Sequence, residues 1–286
     1  MSKTRRRSVG GHGECGERGV ERRGDLKELM TTVAVLADPP REGLVLPTIA
    51  ERTPLSAAEA AELYGAALAD VLGAIEASGG DLLVNYRPEE SIPDEHATGE
   101  SAGDAEAEIR AVAERGLEAP DEARYEVQVG ETFAGRAGNT ATHLLEEEGV
   151  ASVAIVPGSA AFLTRTAVDS AAMKLRGSEV VLGPGDDGDL YYAGFKREID
   201  FADAYRPPAV ETITDRALDA GSEVDFLPMA PTIGTPSGLA SAVALSRARS
   251  RAGRIVPART AARIEEFGLA VEAREGRREV VRRSTI

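Results

Sequence analysis

Short apolar runs recur along this chain, and each is followed by a segment of helical character. Residues 33–37 form a continuous apolar stretch, as expected of a strand buried on both faces. Residues 82–86, 125–129, 152–156, 180–182, 190–193 and 224–227 read as further strands. Helix signals lie between them. Ser56-Ala-Ala-Glu59 is a capping box, in which the serine side chain holds the first turn and the glutamate reaches back to the serine backbone. Leu63, Ala67, Val71 and Ile75 follow at helical spacing, and Ser78-Gly79-Gly80 ends the helix. Residues 105–115, 139–148, 212–220 and 237–248 read as helices, with another starting after Thr164. Strands joined through helices of this length lie side by side only after crossing a face of the sheet. The pattern therefore predicts an α/β fold in three layers, with a mostly parallel, doubly wound sheet. The strands at 180–182 and 190–193 lie close enough in sequence for a local reversal or a bulge, either of which is compatible with a mixed sheet there.

The link between those two strands is Gly183-Pro-Gly-Asp-Asp-Gly188. Gly and Pro make it a turn, and Asp186 and Asp187 make it acidic. Loops at strand ends are where α/β folds place ligand chemistry. Carboxylates there suit a metal-bound phosphate or a sugar. Gly-Asp-Asp-Gly is also ordinary chemistry for a solvated turn.

Charge narrows the partners. The net charge is -15, and it is unevenly spread. Residues 1–29 hold 8 basic and 5 acidic residues, the remainder 25 and 43. An acidic body repels nucleic acid and anionic membrane. Of the cations only Lys3, Lys27, Lys174 and Lys196 are lysines. Dense carboxylate with few aromatics is the composition of a halophilic protein, kept hydrated where salt screens repulsion. The lone cysteine, Cys15, leaves the body without disulfides or thiolate metal sites, which suits a reducing, cytoplasmic setting. No run approaches the apolar length of a membrane span.

Residues 1–29 are charged, Gly-rich and poor in apolar side chains. They are expected to be a disordered basic arm, or an over-extended start. Arg5-Arg6-Arg7 has no apolar region behind it and does not make a signal peptide. Gly11-His-Gly-Glu-Cys-Gly16 matches a dinucleotide-binding spacing, but an Arg-rich segment stands where a buried strand is needed. The expected folded unit is residues 30–271, followed by an Arg-rich, frayed tail at 272–286. His143, inside an expected helix, and His12 and His96, in expected loops, lack nearby His or Cys partners in sequence. No Ser-His-Asp pattern, P-loop or G-x-S-x-G occurs.

Several blocks, in order, resemble a known family. They are residues 33–43 with the Ser56 helix, residues 135–149 running into 152–156, Pro157-Gly-Ser-Ala-Ala-Phe-Leu-Thr164, residues 181–195, and Thr235-Pro-Ser-Gly-Leu239. Together they span about residues 30–245. They resemble the GT-A-like rSAM/selenodomain-associated transferase 1 family, within the nucleotide-diphospho-sugar transferase superfamily. The resemblance implies the GT-A fold and transfer from a nucleotide or nucleotide-sugar donor. It also implies a divalent cation, Mg²⁺ or Mn²⁺. It places metal ligands at Asp186 and Asp187, and nucleotide or substrate contacts at Arg41, Ser159 and Gly188. Arg136, at an expected helix start, is a weaker anion contact by this reading, and one of Tyr191 and Tyr192 is expected to face the core.

Three positions depart from the family pattern. The basic Lys-Thr-Arg-Leu element after the first strand is replaced by Pro40-Arg41-Glu42-Gly43. The expected acid after Gly158-Ser159 is Ala160, and the acids before Thr235-Pro236 are replaced by Thr232-Ile233-Gly234. Two functions follow from the sequence. One is metal-assisted glycosyl or nucleotidyl transfer. The other is a catalytically degenerate binding or scaffold protein that retains the fold.

Overall fold

β1 (Thr31–Ala37) is buried along its whole length, because it runs through the middle of the main sheet with helices on both faces. The computed structural model describes residues 30–97, 104–274 and 276–283. The basic arm expected at residues 1–29 lies outside these. After β1 come α1 (Pro47–Arg52), α2 (Ala57–Glu76) and β2 (Asp81–Tyr86). Next are α3 (Asp104–Gly116), β3 (Arg124–Val127) and α4 (Phe133–Thr142), which continues as a π-helical turn over His143–Glu147. β4 (Ser152–Pro157), α5 (Arg165–Lys174), β5 (Val180–Pro184) and β6 (Leu190–Phe195) follow. The rest of the main domain is α6 (Ala209–Asp219), β7 (Val224–Phe226), α7 (Pro236–Arg251) and α8 (Ala258–Glu266).

Seven strands form one sheet in the order β3-β2-β1-β4-β6-β5-β7. β6 runs antiparallel to both β4 and β5, while the other pairings are parallel. The mixed, doubly wound α/β sheet is therefore as the sequence pattern predicts. The reversal has a consequence for position. Because β6 is inverted, its amino end lies beside the carboxyl ends of β4 and β5, so the turn before β6 faces the same way as the loops after β1 and β4.

The two sheet faces carry separate cores. Val33, Val35 and Ala37 point into one with Leu63, Leu68 and Leu72 of α2. Ala34 and Leu36 point into the other with Leu144, Ile213 and Phe195. This is the strand period of two read out in packing. Leu72 is wholly buried, so Leu72→Ala costs about 2–5 kcal/mol. The capping box forms as expected. Ser56 Oγ accepts from the Glu59 N–H at 3.2 Å, and Glu59 Oε2 accepts from the Ser56 N–H at 2.8 Å.

Two boundaries differ most from the expected ones. α4 starts at Phe133, six residues before 139, because Thr132 caps it through a bond from the Gly135 N–H at 3.0 Å. Much of the Arg-rich tail is also ordered. β8 (Leu269–Arg274) and β9 (Arg277–Arg282) pair as an antiparallel hairpin, so the expected break at 271 falls inside a strand. Leu269 and Ala270 are buried, and Arg282 donates to both Glu59 carboxylate oxygens at 2.8 Å. Alternating apolar positions and one ion pair fix a segment whose composition alone reads as solvated.

Candidate active site at the carboxyl ends of the central strands

Loops at one end of the sheet bring together side chains from well-separated segments. Asp38 directly follows β1. Its N–H donates to the Tyr64 hydroxyl at 3.0 Å. That hydroxyl occupies the space beside Gly158 where any Cβ would fall, which accounts for the glycine before Ser159. The Ser159 carbonyl accepts from the Ile233 N–H at 3.1 Å, so the loop after β7 is stitched onto the loop after β4. Thr232 in that loop is fully buried and donates to Asp189 Oδ2 at 3.2 Å. Asp189 sits at the amino end of β6. The row therefore runs from Asp38 through Tyr64 and Ser159 to Thr232 and Asp189.

Its electrostatics are those of a buried polar site. Asp38 Oδ1 is buried without a hydrogen bond, and the Arg87 guanidinium approaches it only to 3.6 Å. Burial raises the Asp38 carboxyl above the ordinary carboxylate range, opposed by the positive charges of Arg136 and Arg87. Burial likewise raises Asp189, and the nearby Asp187 and Asp186 charges add to it. Arg136, in the first turn of α4, is 7% exposed. Its Nη1 donates to the Glu131 carbonyl at 3.0 Å, while its Nε is buried without a partner. Burial lowers its pKa, opposed by the Asp38 charge, although no carboxylate among the described residues is in contact with it. A buried guanidinium whose nearest acid does not reach it is costly in a folded protein. Beside a helix amino terminus it describes a place for an anion. The Tyr205 hydroxyl, also buried and unpartnered, is raised by burial and by the Asp189 charge.

The residues expected to form the site divide. Ser159 lies in the row: its Oγ is 3.5 Å from where a Cβ on Gly234 would stand, and Asp189 Oδ2 is 4.0 Å from the same point. Asp186 and Asp187 lie on its outer rim. Asp186 Oδ1 accepts from Ser241 at 2.8 Å, and Asp187 Oδ2 accepts from Ser237. Both serines belong to α7, so that helix's first two turns hold the acidic turn. Asp187 is exposed, and Asp186 is half-buried at the edge of a cavity of about 430 Å³ that Arg278 also lines. Gly188 serves the turn itself. It has φ +77°, and a Cβ would press on the Pro208 ring.

Arg41 does not face this row. Its Nε donates to Glu108 at 3.0 Å, and its terminal nitrogens donate to Glu89 at 2.6 and 2.8 Å and to the His96 carbonyl at 3.0 Å. A guanidinium so occupied is a structural tie between the β1 loop and α3, not a free phosphate ligand. Tyr191 and Tyr192 are both buried, so both face packed interior where one was expected to. Sequence reasoning passed over Asp189, Asp38 and Arg87. Asp189 had a signal, being an acid immediately before the apolar run of β6. Asp38 likewise follows an apolar run directly.

Which groups could hold a metal depends on hard oxygen donors. Among the described residues, the one trio of His, Cys or acid side chains with ligand atoms within 4.8 Å of one another is Glu126, His143 and Glu148, at the far edge of the sheet. Arg124 lies between the two carboxylates of that trio, which are thereby charge-balanced. Asp189 in the row and Asp187 on its rim offer oxygen lone pairs beyond those that Thr232 and Ser237 use. Mg²⁺ and Mn²⁺ commonly take one or two carboxylates and fill the remaining positions with phosphate oxygens and water. The donor set fits such an ion in company with a phosphorylated ligand.

No family model matches the chain, and no curated protein does. Solved structures do. One described as a nucleotide-diphospho-sugar transferase of Desulfovibrio desulfuricans G20 shares 19% identity with a TM-score of 0.64, covering 82% of this chain and 94% of that one. A cytidylyltransferase of Leptospira borgpetersenii shares 10% identity over 82% and 94%, with a TM-score of 0.45. Rv0371c of Mycobacterium tuberculosis shares 14% over 73% and 96%, with a TM-score of 0.41. The likeness that carries weight is the first, and at that identity it concerns architecture: the chain has the nucleotide-diphospho-sugar transferase fold.

Proposed function

We propose that the carboxyl-end row binds a nucleotide-activated donor and that the protein transfers a glycosyl or nucleotidyl group from it. The supporting observation is Arg136, a buried guanidinium at the amino end of α4 that no carboxylate among the described residues touches, Asp38 acting on it only across a gap. A donor phosphate supplies the contacting anion that Asp38 does not, with Arg87 and the α4 backbone N–H groups beside it. Asp189 supplies the principal oxygen ligand for a divalent cation, with Asp187 on the rim as a weaker, outer one. When bound, that ion neutralises charge on the phosphates of the leaving group. Tyr64 and Gly158 hold the Ser159 loop in place, and Thr232 orients Asp189. The family resemblance and the fold agree with this reading, with Arg136 in place of Arg41 as the phosphate contact.

A specific observation favours the second reading, a binding protein that has lost catalysis. Ala160, where the family carries an acid, is wholly buried, as is Ile233 in the loop that lost its acids. The metal would then rest on fewer carboxylates than the family uses. One experiment separates the two. Thermal shift and calorimetry with nucleoside triphosphates and nucleotide sugars, with Mn²⁺ in molar KCl, measure binding; nucleoside diphosphate release from a nucleotide sugar, or pyrophosphate release from a triphosphate, measures transfer. Binding that Arg136→Met abolishes, with product release, supports transfer. Binding without release under all donors supports the degenerate reading. The absence of any donor-induced shift overturns both.

A further inference from the structure

The carboxyl-terminal part of this acidic chain is basic. Residues 247–283 carry 11 arginines against 5 acids. Several of these arginines are ordinary surface ion pairs: Arg259 meets Asp70, Arg263 meets Glu62, and Arg282 meets Glu59. Arg247, Arg251 and Arg283 form no ion pair among the described residues. Instead they converge. Arg247 and Arg251 stand one turn apart near the end of α7, with Ser246 and Ser250 beside them. Arg283 enters from the end of β9, where its N–H donates to the Gly268 carbonyl at 2.8 Å. All five line one cavity of about 380 Å³, and Glu265 is its single acid.

Arg247 is half-buried in this cavity while Arg251 and Arg283 are exposed at its mouth, and three like charges around so small a space repel each other unless an anion or water lies between them. Arg247 is fixed there by a 2.8 Å bond to the Leu269 carbonyl, so it does not swing away to relieve the repulsion. Burial and the charges of Arg283 and Arg251 lower its pKa, against the opposing charge of Glu265. Three guanidiniums and one carboxylate leave two positive charges. Guanidinium forks and serine hydroxyls match the oxygens of a tetrahedral anion.

We infer that this cavity is a second anion site, built for a dianionic phosphoryl group and separate from the donor row. It shares no residue with that row and does not rest on the donor reading. The two line different stretches of α7: the acidic turn is held by Ser237 and Ser241, the cavity by residues 246–251. The phosphoryl group is either free phosphate or the monoester of a nucleotide.

The test is calorimetric titration of the full chain with inorganic phosphate and, separately, with AMP, at low salt. The variants are Arg251→Gln with Arg283→Gln, Arg251→Lys with Arg283→Lys, and Arg136→Met. The expected result is saturable phosphate binding that the double Gln variant weakens tenfold or more, while the double Lys variant and Arg136→Met retain it. AMP binding at equal strength assigns the site to free phosphate, and markedly tighter AMP binding assigns it to a nucleotide. Either outcome keeps the site. Unchanged affinity in the double Gln variant, with its melting temperature intact, overturns the inference. So does the absence of saturable phosphate binding in the wild type, or its loss in Arg136→Met alone.

Discussion

Asp186 and Asp187 on one side, and Asp189 on the other, are almost adjacent in sequence and differ in almost everything else. The first two stand on the outer rim of the sheet's carboxyl end, held by α7 hydroxyls and facing water or a shallow cavity. Asp189 turns inward, takes the hydroxyl of a fully buried threonine, and is raised by burial. Solvent decides the difference. A carboxylate in water is already stabilised and has little to gain from a ligand. One withdrawn from water gains strongly from a cation. Residue type marks where chemistry is possible, and desolvation sets where it is strong.

The sharpest way to break that comparison is to remove each side. Asp189→Asn is expected to lower donor-dependent turnover by roughly a hundred- to a thousandfold. Asp186→Ala with Asp187→Ala should lower it by less than about tenfold. Steady-state kinetics on the two proteins check this, and equal losses would place the chemistry on the rim. The stability of the two proteins should also diverge with pH. Asp189 is raised in the fold, so its protonation favours the folded state. That contribution is full below the ordinary carboxylate range and is lost as pH rises through the elevated value. Urea melts of Asp189→Asn should therefore lack the gain that the wild type shows on acidification, and should be no less stable than wild type at neutral pH.

Arg136 tests the cationic end of the row. Arg136→Met keeps the length and removes an unpaired buried charge. Donor affinity is expected to fall at least about tenfold, while stability is unchanged or rises by about 1–4 kcal/mol. A variant that binds donor normally but melts early would make Arg136 a structural residue.

A smaller effect is expected where an ion pair is open to solvent. Glu59 is held down to about 2 by its bonds from Arg282 and the Ser56 N–H. Glu59→Gln should cost about 1 kcal/mol at neutral pH by weakening the capping box. Because the carboxyl is depressed in the fold, its contribution is present above the usual carboxylate range and fades as pH falls toward about 2. Denaturant melts across that range check the sign. The smallest change is expected at Asp187, which has φ +58°. Asp187→Gly relieves left-handed strain and loses the Ser237 bond, leaving stability within about 1 kcal/mol of wild type.

Much of the architecture was legible because its signals are local. The continuous apolar run of β1, the Ser56 capping box and the short link between β5 and β6 each act within a few residues. The site was less legible. The acidic turn announced itself through composition, but its direction depended on α7 serines some fifty residues away. Arg41 read as the free cation of its loop until Glu89 and Glu108 closed on it. The tail looked solvated because its arginines outnumber its apolar residues. Burial of Leu269, Ala270 and Val280 is a tertiary event.

The amino-acid order by itself determined a mixed, doubly wound sheet, since strand and helix periods and the length of each connection leave few ways to bury the apolar positions. Only the tertiary structure decided which charges lie out of water. Desolvation is set by what the rest of the chain packs around a group, and that information is spread over segments that meet only in three dimensions. Asp38, Arg136 and Asp189 were brought to one end of the sheet, and Arg247, Arg251 and Arg283 to the lining of one cavity, through packing that no short window of sequence records.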